Sequence, residues 1–129
     1  MEADPSNEKD GWLKARLKKH GIEVVVPQRP EDRSRCYDII VQELSFGIMN
    51  DESRKFYCNL GNKSLCEQQG AEAILLGCTE IELLLSRESM NDADIQVPIL
   101  RSAEIHIECA ARAQLGLLNI ADIQPPSHL

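Results

Sequence analysis

A cysteine, a threonine and a glutamate that directly follow an apolar run are the residues best placed to do chemistry. Cys78-Thr79-Glu80 comes after the run AEAILLG at residues 71–77, which predicts a buried strand. Cys78 would then lie at the carboxyl end of this strand, where open α/β sheets bind ligands and the next helix begins. The unpaired N–H groups and positive end of a helix lower a thiol pKa and can hold a substrate carboxylate. We therefore expect Cys78 to be reactive, and the alternative is a small core residue at a tight turn.

The other four cysteines are expected to be ordinary thiols rather than metal ligands or disulfide partners. The total of five is odd, and no two cysteines have the CxxC spacing of a zinc ribbon or finger. Cys36 and Cys109 each fall on an apolar row of a predicted helix, and Cys58 and Cys66 have no base at a useful spacing. We expect no metal and no other cofactor.

Composition and charge limit the classes of function that remain. The 129 residues suit one domain, and 14 basic against 21 acidic residues give a net charge of -7. Nucleic acids and acidic membrane surfaces both require a positive face, so neither is expected as a partner. No apolar run approaches the roughly 18 residues of a membrane span. The polar, acidic start MEADPSNEKDG is unlike a secretory signal, so we expect a cytoplasmic protein with reduced thiols.

Helical and strand patterns alternate along the chain, which predicts an α/β fold with a short parallel sheet flanked by helices. Helices are predicted at residues 12–20, 30–46, 51–69, 79–86 and 102–117, and strands at 22–26, 71–77 and 97–100. The strand at 71–77 should be covered on both faces, because its apolar run is continuous. The domain is expected to span residues 11–120, with an irregular segment at 1–10 and a tail at 121–129.

Three details of the helices can be read from single residues. Asp51 and Ser102 are the expected N-caps of their helices. Gly61 should weaken the middle of the helix at 51–69, by roughly 1 kcal/mol relative to alanine. The last helix is expected to bury one row at helical spacing: Ile105, Cys109, Ala113 and Leu117.

Four segments of the chain resemble, in order and spacing, the C-terminal lobe of the aspartate/glutamate racemase family. The most specific is QQGAEAILLGCTEIELLL, and HGIEVVVP precedes it. DIIVQELSFGIMNDESR, which lies between these two, matches the family segment that follows HGIEVVVP, and VPILRSAEIHIECAA matches the family's last segment. The resemblance therefore runs from Lys18 to Ala113. The aspartate-type branch is the closer one, because the second cysteine of glutamate racemases is usually followed by Thr-His.

The resemblance implies both a fold and a reaction. The fold is one lobe of a two-lobed α/β protein, and the reaction is racemisation of aspartate or a related amino acid without pyridoxal phosphate or metal. One cysteine takes the α-proton and a second returns one to the opposite face. By this resemblance Cys78 is the second catalytic cysteine, Thr79 helps to hold the substrate carboxylate and Glu80 orients or tunes the thiol. His106 matches a histidine that lines the family's site, although a surface or packed helix histidine is the alternative.

Two departures from the family pattern bear on activity. The chain lacks the first lobe, with its cysteine, and the first strand of its own lobe, so we expect a lobe truncated at its N-terminus that does not racemise alone. Arg101-Ser102-Ala103 stands where the family usually has Asp-Thr-Thr, which puts a basic residue near the expected site.

Two other functions stay open. The chain could be a catalytically silent racemase-like module that acts through binding or assembly, including self-association as a homodimer through exposed strand edges. It could also be a related one-cysteine decarboxylase or a hydantoin racemase. An amino-acid substrate remains the first expectation, because HGIEVVVP and GCTEI resemble the amino-acid racemase branch.

Overall fold

The computed structural model of the protein describes residues 11–91, 94–119 and 121, and it confirms the α/β class. The helices are α1 (Trp12–Lys19), α2 (Pro30–Gln42), α3 (Asp51–Asn59), α4 (Thr79–Leu84) and α5 (Ser102–Gln114). A 3-10 helix (Leu44–Phe46) follows α2, and a π-helix (Leu60–Glu67) continues α3. The strands are β1 (Ile74–Leu76) and β2 (Ile99–Arg101). The segment predicted at 1–10 and, except for Ala121, the tail predicted at 121–129 lie outside the described residues.

The two strands form a parallel pair, as the alternation of helices and strands predicts. The register pairs Ile74 with Ile99, Leu75 with Leu100 and Leu76 with Arg101. Ile74 and Leu76 are buried, whereas Leu75 is 37% exposed and Leu100 is 43% exposed. Because successive side chains of a strand point to opposite faces, one face of this sheet is covered and the other is open. The expectation of cover on both faces was therefore wrong for β1.

Residues 22–26, predicted as a strand, have no regular secondary structure and join no sheet within the part of the chain that the structure describes. Ile22 is 50% exposed and Val26 is 47% exposed. The Val26 carbonyl accepts a hydrogen bond from the Gln69 side chain, 3.1 Å away, in place of a strand partner. β-branched residues favour extended backbone, but a strand also requires a neighbour to pair with.

The core lies on the covered face of the sheet, where α2, α3 and α4 meet it. Its buried side chains are Ile39, Leu44, Tyr57, Ile74, Leu76, Leu84, Leu85 and Ile95. Leu84 and Leu85 tie the C-terminal end of α4 into this core, so the helix that begins after Cys78 is anchored there. Among the residues that the structure describes, no helix is long and apolar enough to cross a membrane.

The last helix, α5, contributes no buried residue to the core. Ile105 is 43% exposed, Leu117 is 73% exposed and Cys109 is only half-buried. The expected core row was therefore wrong, although its spacing is correct for a helix. The reason is that α5 packs against α4 and the end of β2, and the described residues place no further layer over its apolar side.

Two of the helix caps also differ from the expected ones. Asn50, one residue before Asp51, caps α3, because its side-chain oxygen accepts the Glu52 N–H at 2.9 Å. Ser102 is the first residue of α5 rather than its cap, and its hydroxyl donates to the Glu82 carboxylate at 3.0 Å. A cap from a carboxylate twenty residues away cannot be predicted from the local sequence pattern.

Gly61 is buried in the π-helix, directly over β1. A Cβ at this position would lie 2.7 Å from Cδ1 of Ile74 and 3.8 Å from Cδ1 of Ile95. The glycine therefore allows the helix to approach the strand closely. Its effect on stability is a balance between that close packing and the lower helix propensity that the sequence suggested.

We expect Gly61→Ala to destabilise the protein by up to about 2 kcal/mol, because overpacking costs about 1–3 kcal/mol and the gain in helix propensity returns about 1 kcal/mol. Ile74→Val removes the clashing methyl and should recover much of the loss in the double variant. Urea unfolding followed by circular dichroism measures both. Gly77→Ala is the control, since nothing lies within 4 Å of its Cβ. A Gly61→Ala protein more stable than the wild type would contradict the packing explanation.

Candidate functional site

Cys78 lies two residues beyond the end of β1 and occupies the N-cap position of α4, where its side chain makes no cap hydrogen bond. Its backbone is extended, with φ -142° and ψ 128°, so the chain changes direction between strand and helix at this position. The local pattern produces this turn, since the apolar run ends at Gly77 and Thr79 begins the helix. The structure therefore has Cys78 beyond the carboxyl end of β1, where the sequence analysis expects it.

Glu80 brings the three predicted residues of this segment together. The Cys78 thiol donates to Oε2 of Glu80 at 3.0 Å, and the Thr79 hydroxyl donates to the same oxygen at 2.8 Å. These two hydrogen bonds, that of Cys78 first, lower the pKa of the Glu80 carboxyl. Glu80 is therefore ionised at neutral pH and holds the thiol by a charge-assisted hydrogen bond.

The thiol of Cys78 has a raised pKa, which is the opposite of the expected direction. Burial of the sulfur is the largest cause, and the hydrogen bond to Glu80 adds to it. The backbone N–H groups of Ile81 and Glu80 do lower the pKa, as a helix start should, but they are outweighed. Cys78 therefore rests as a neutral thiol, a form that can give up a proton.

Tyr57 is a buried neighbour of the site that the sequence analysis did not identify. Its hydroxyl donates to the backbone carbonyl of Cys36 at 3.0 Å, which links α3 to α2. Burial is the largest cause of the raised pKa of Tyr57, and the thiolates that Cys36 and Cys78 form at high pH add to it. Tyr57 stays a neutral hydrogen-bond donor at any pH at which the protein would work. Its spacing in the sequence does not distinguish it from an ordinary core residue.

His106 lies on α5 and is exposed. Within residues 11–91, 94–119 and 121, no hydrogen bond or ion pair joins it to Cys78, Thr79 or Glu80. The described residues therefore show no polar link between His106 and the other predicted site residues, and its role in substrate binding stays a prediction.

Arg101, the basic residue expected near the site, directs its charge away from Cys78. Its Nη2 donates to the carbonyl of Leu85 at 2.8 Å, at the C-terminal end of α4. Cys78 lies at the other end of that helix, about 10 Å away at 1.5 Å per residue. Nε of Arg101 is buried without a partner among the described residues. The backbone of Arg101 thus pairs with Leu76 in the sheet, while its guanidinium contacts the C-terminal end of α4.

Two cavities form elsewhere on the described surface. The larger, about 410 Å³, lies beside β2, and the smaller, about 200 Å³, lies between the start of α2 and the π-helix. Arg101 lines the first and Ser64 the second, while Cys78, Thr79 and Glu80 line neither. Neither cavity is therefore the candidate site.

Comparison with known proteins agrees with this architecture. The family model for Asp/Glu/Hydantoin racemase matches residues 5–110. A crystal structure from Yersinia pestis, provisionally assigned as an Asp/Glu racemase, is 39% identical and superposes with a TM-score of 0.68 over 83% of this chain. The chain spans less than half of that protein, 44% of its length. The match covers most of the present sequence and includes the Cys78-Thr79-Glu80 segment, and the chain therefore belongs to the Asp/Glu/hydantoin racemase family.

Proposed function

We propose that this chain supplies one acid/base group for the racemisation of aspartate or a related amino acid, and that Cys78 is this group. The observation that carries the proposal is a thiol between the end of β1 and the start of α4, hydrogen-bonded to an ionised carboxylate. Family membership supports a racemase, and the fold supports a site at this edge of the sheet. The cytoplasm is proposed as the place of action, because its reducing conditions keep thiols such as Cys78 free.

In this reaction the α-proton of the substrate is removed on one face and replaced on the other. An acid and a base on opposite faces are needed, because a single group returns the proton to the face it came from. When Cys78 acts as the acid, its S–H bond breaks, a C–H bond forms at the planar carbanion and a thiolate remains. In the opposite direction the thiolate takes the α-proton. We propose that the reaction proceeds without pyridoxal phosphate, as the family resemblance implies, and that the thiol transfers the proton directly.

The neighbouring residues are proposed to bind the substrate and to hold the thiol. Thr79 would hold the substrate carboxylate through its backbone N–H, since its hydroxyl is engaged with Glu80. Glu80 would orient the thiol and keep it protonated between turnovers. The chain spans 44% of the length of the similar protein from Yersinia pestis. The group on the opposite face of the substrate is proposed to come from outside this chain.

Exchange of the α-proton in deuterated water tests this proposal. The chain is incubated with L-aspartate and, separately, with D-aspartate, and the α-proton signal is followed by NMR. We expect exchange with retention of configuration, because a single face carries a base. Cys109→Ser should exchange at the wild-type rate, since this thiol lies on α5 away from the site. Exchange with inversion would contradict the assignment of the second group to another chain.

An assembly role is the second candidate, and the exposed apolar side chains favour it. Leu75 and Leu100 lie on the open face of the sheet, and Ile107 and Leu115 are exposed on α5. A folded sample that exchanges no α-proton, with either aspartate or a 5-substituted hydantoin, would support this role over catalysis. Light scattering after size-exclusion chromatography would then show whether the chain associates with itself.

A further inference from the structure

The N-terminal end of α5 is capped by a side chain from α4. Oε1 of Glu82 accepts the backbone N–H of Ala103 at 2.8 Å and the hydroxyl of Ser102 at 3.0 Å. The first N–H groups of a helix have no partner within the helix, and a carboxylate there also complements the helix dipole. Glu82 therefore satisfies the start of α5 as a local N-cap residue would.

The opposite end of α4 receives a matching contact from the residue that precedes α5. Arg101 donates to the carbonyl of Leu85, one of the last unpaired carbonyls of α4. The two helices thus cap each other, Glu82 at the start of α5 and Arg101 at the end of α4. An exposed ion pair, Arg87 with Glu104 at 3.0 Å, adds a link between the segment that follows α4 and the first turn of α5.

These polar links matter because α5 packs against α4 without burying any of its own residues. With six residues, α4 is far shorter than a helix that is stable by itself, so its contacts decide its position. Leu84 holds its C-terminal half in the core, and α5 buries no residue at all. The first turn of α4, which follows Cys78, is connected to α5 through Glu82.

We infer that Glu82 is a positioning residue: by capping α5 it fixes the first turn of α4 and thereby the pairing of the Cys78 thiol with Glu80. The inference rests on the proposed role of Cys78 in proton transfer. Glu82 itself touches neither the thiol nor the substrate. Its loss should let the first turn of α4 move, expose the sulfur to water and weaken the hydrogen bond to Glu80.

The rate at which iodoacetamide alkylates Cys78 tests this inference, because it depends on the exposure and the pKa of the thiol. The rate is measured as a function of pH, and peptide mass spectrometry distinguishes Cys78 from the other cysteines. Burial and Glu80 both raise the pKa of the Cys78 thiol, so weakening both in Glu82→Ala should lower it. We expect alkylation at pH 8 to be about 3- to 10-fold faster, since a change of one pKa unit alters the thiolate fraction tenfold. Glu82→Gln keeps an oxygen acceptor for both donors and should stay within about twofold of the wild type.

Glu108→Ala is the matched control, because among the described residues Glu108 pairs only with Arg112, at 3.3 Å within α5, and links no other element. A Glu82→Ala profile identical to that of Glu108→Ala would overturn the inference. If Glu82→Ala loses its helical circular dichroism, Ser102→Ala, which removes one of the two bonds, must shift the profile in the same direction. The assay uses no substrate, so it stays readable even if the chain exchanges no α-proton.

Discussion

Replacing Cys78 with serine is expected to lower the rate of α-proton exchange from aspartate by about 100- to 10,000-fold, the usual contribution of a positioned acid/base group. Serine is nearly the same size, so the turn between β1 and α4 should persist. Its hydroxyl can still donate to Glu80, but it does not ionise in the range where a thiol does. The rate is measured by NMR in deuterated water, with circular dichroism to verify folding.

The pH dependence of exchange gives an independent signature of the thiol. Taking the α-proton requires the thiolate, and the raised pKa of Cys78 keeps the thiolate a minor form at neutral pH. The rate should therefore increase with pH, by about tenfold per pH unit, until the thiol ionises above its ordinary range. A rate that does not change with pH, or a Cys78→Ser protein that exchanges as fast as the wild type, would assign the chemistry to another group.

Leu84→Ala should destabilise the protein by about 2–5 kcal/mol, the range for truncating a buried leucine. The side chain is 2% exposed and holds the C-terminal half of α4 in the core. A domain of this size has about 5–15 kcal/mol of stability in total, so a large share would be lost. Urea unfolding followed by circular dichroism measures the free energy of unfolding.

Leu83→Ala provides a control from the adjacent position of the same helix. Leu83 is 64% exposed, so the same chemical change should alter stability by no more than about 0.5 kcal/mol. Equal losses in the two variants would mean that helix propensity, and not burial, determines the stability of α4. A large difference would show that the core contact of Leu84 holds the helix that carries the candidate site.

The position of Cys78 could be predicted because its determinants are local. An apolar run forms β1, Gly77 ends it and Thr79 starts α4, all within a few residues. The hydrogen bonds of Cys78 and Thr79 to Glu80 are equally local, since they join residues one or two apart. Collinear segments with the same local pattern also made the family recognisable from residues 18–113.

The errors concern properties that depend on residues far apart in the chain. Residues 22–26 have the composition of a strand, yet pairing depends on whether another strand lies beside them. The row of Ile105 and Leu117 has helical spacing, yet burial depends on a layer that the described residues do not place over it. The helical preference of α5 is correct, and in both cases long-range packing determines whether a local pattern leads to a sheet or to a core.

The protonation of the thiol and the capping of α5 are likewise set by three-dimensional packing. Helix geometry alone favours a lowered pKa for Cys78, but burial in the fold and the Glu80 carboxylate together reverse the direction. Serine is a residue type that often caps helices, but at the start of α5 the Glu82 carboxylate, twenty residues earlier in the chain, accepts the hydrogen bonds instead. Residue type and spacing therefore place the reactive group, while burial and long-range hydrogen bonds decide its charge and what holds it.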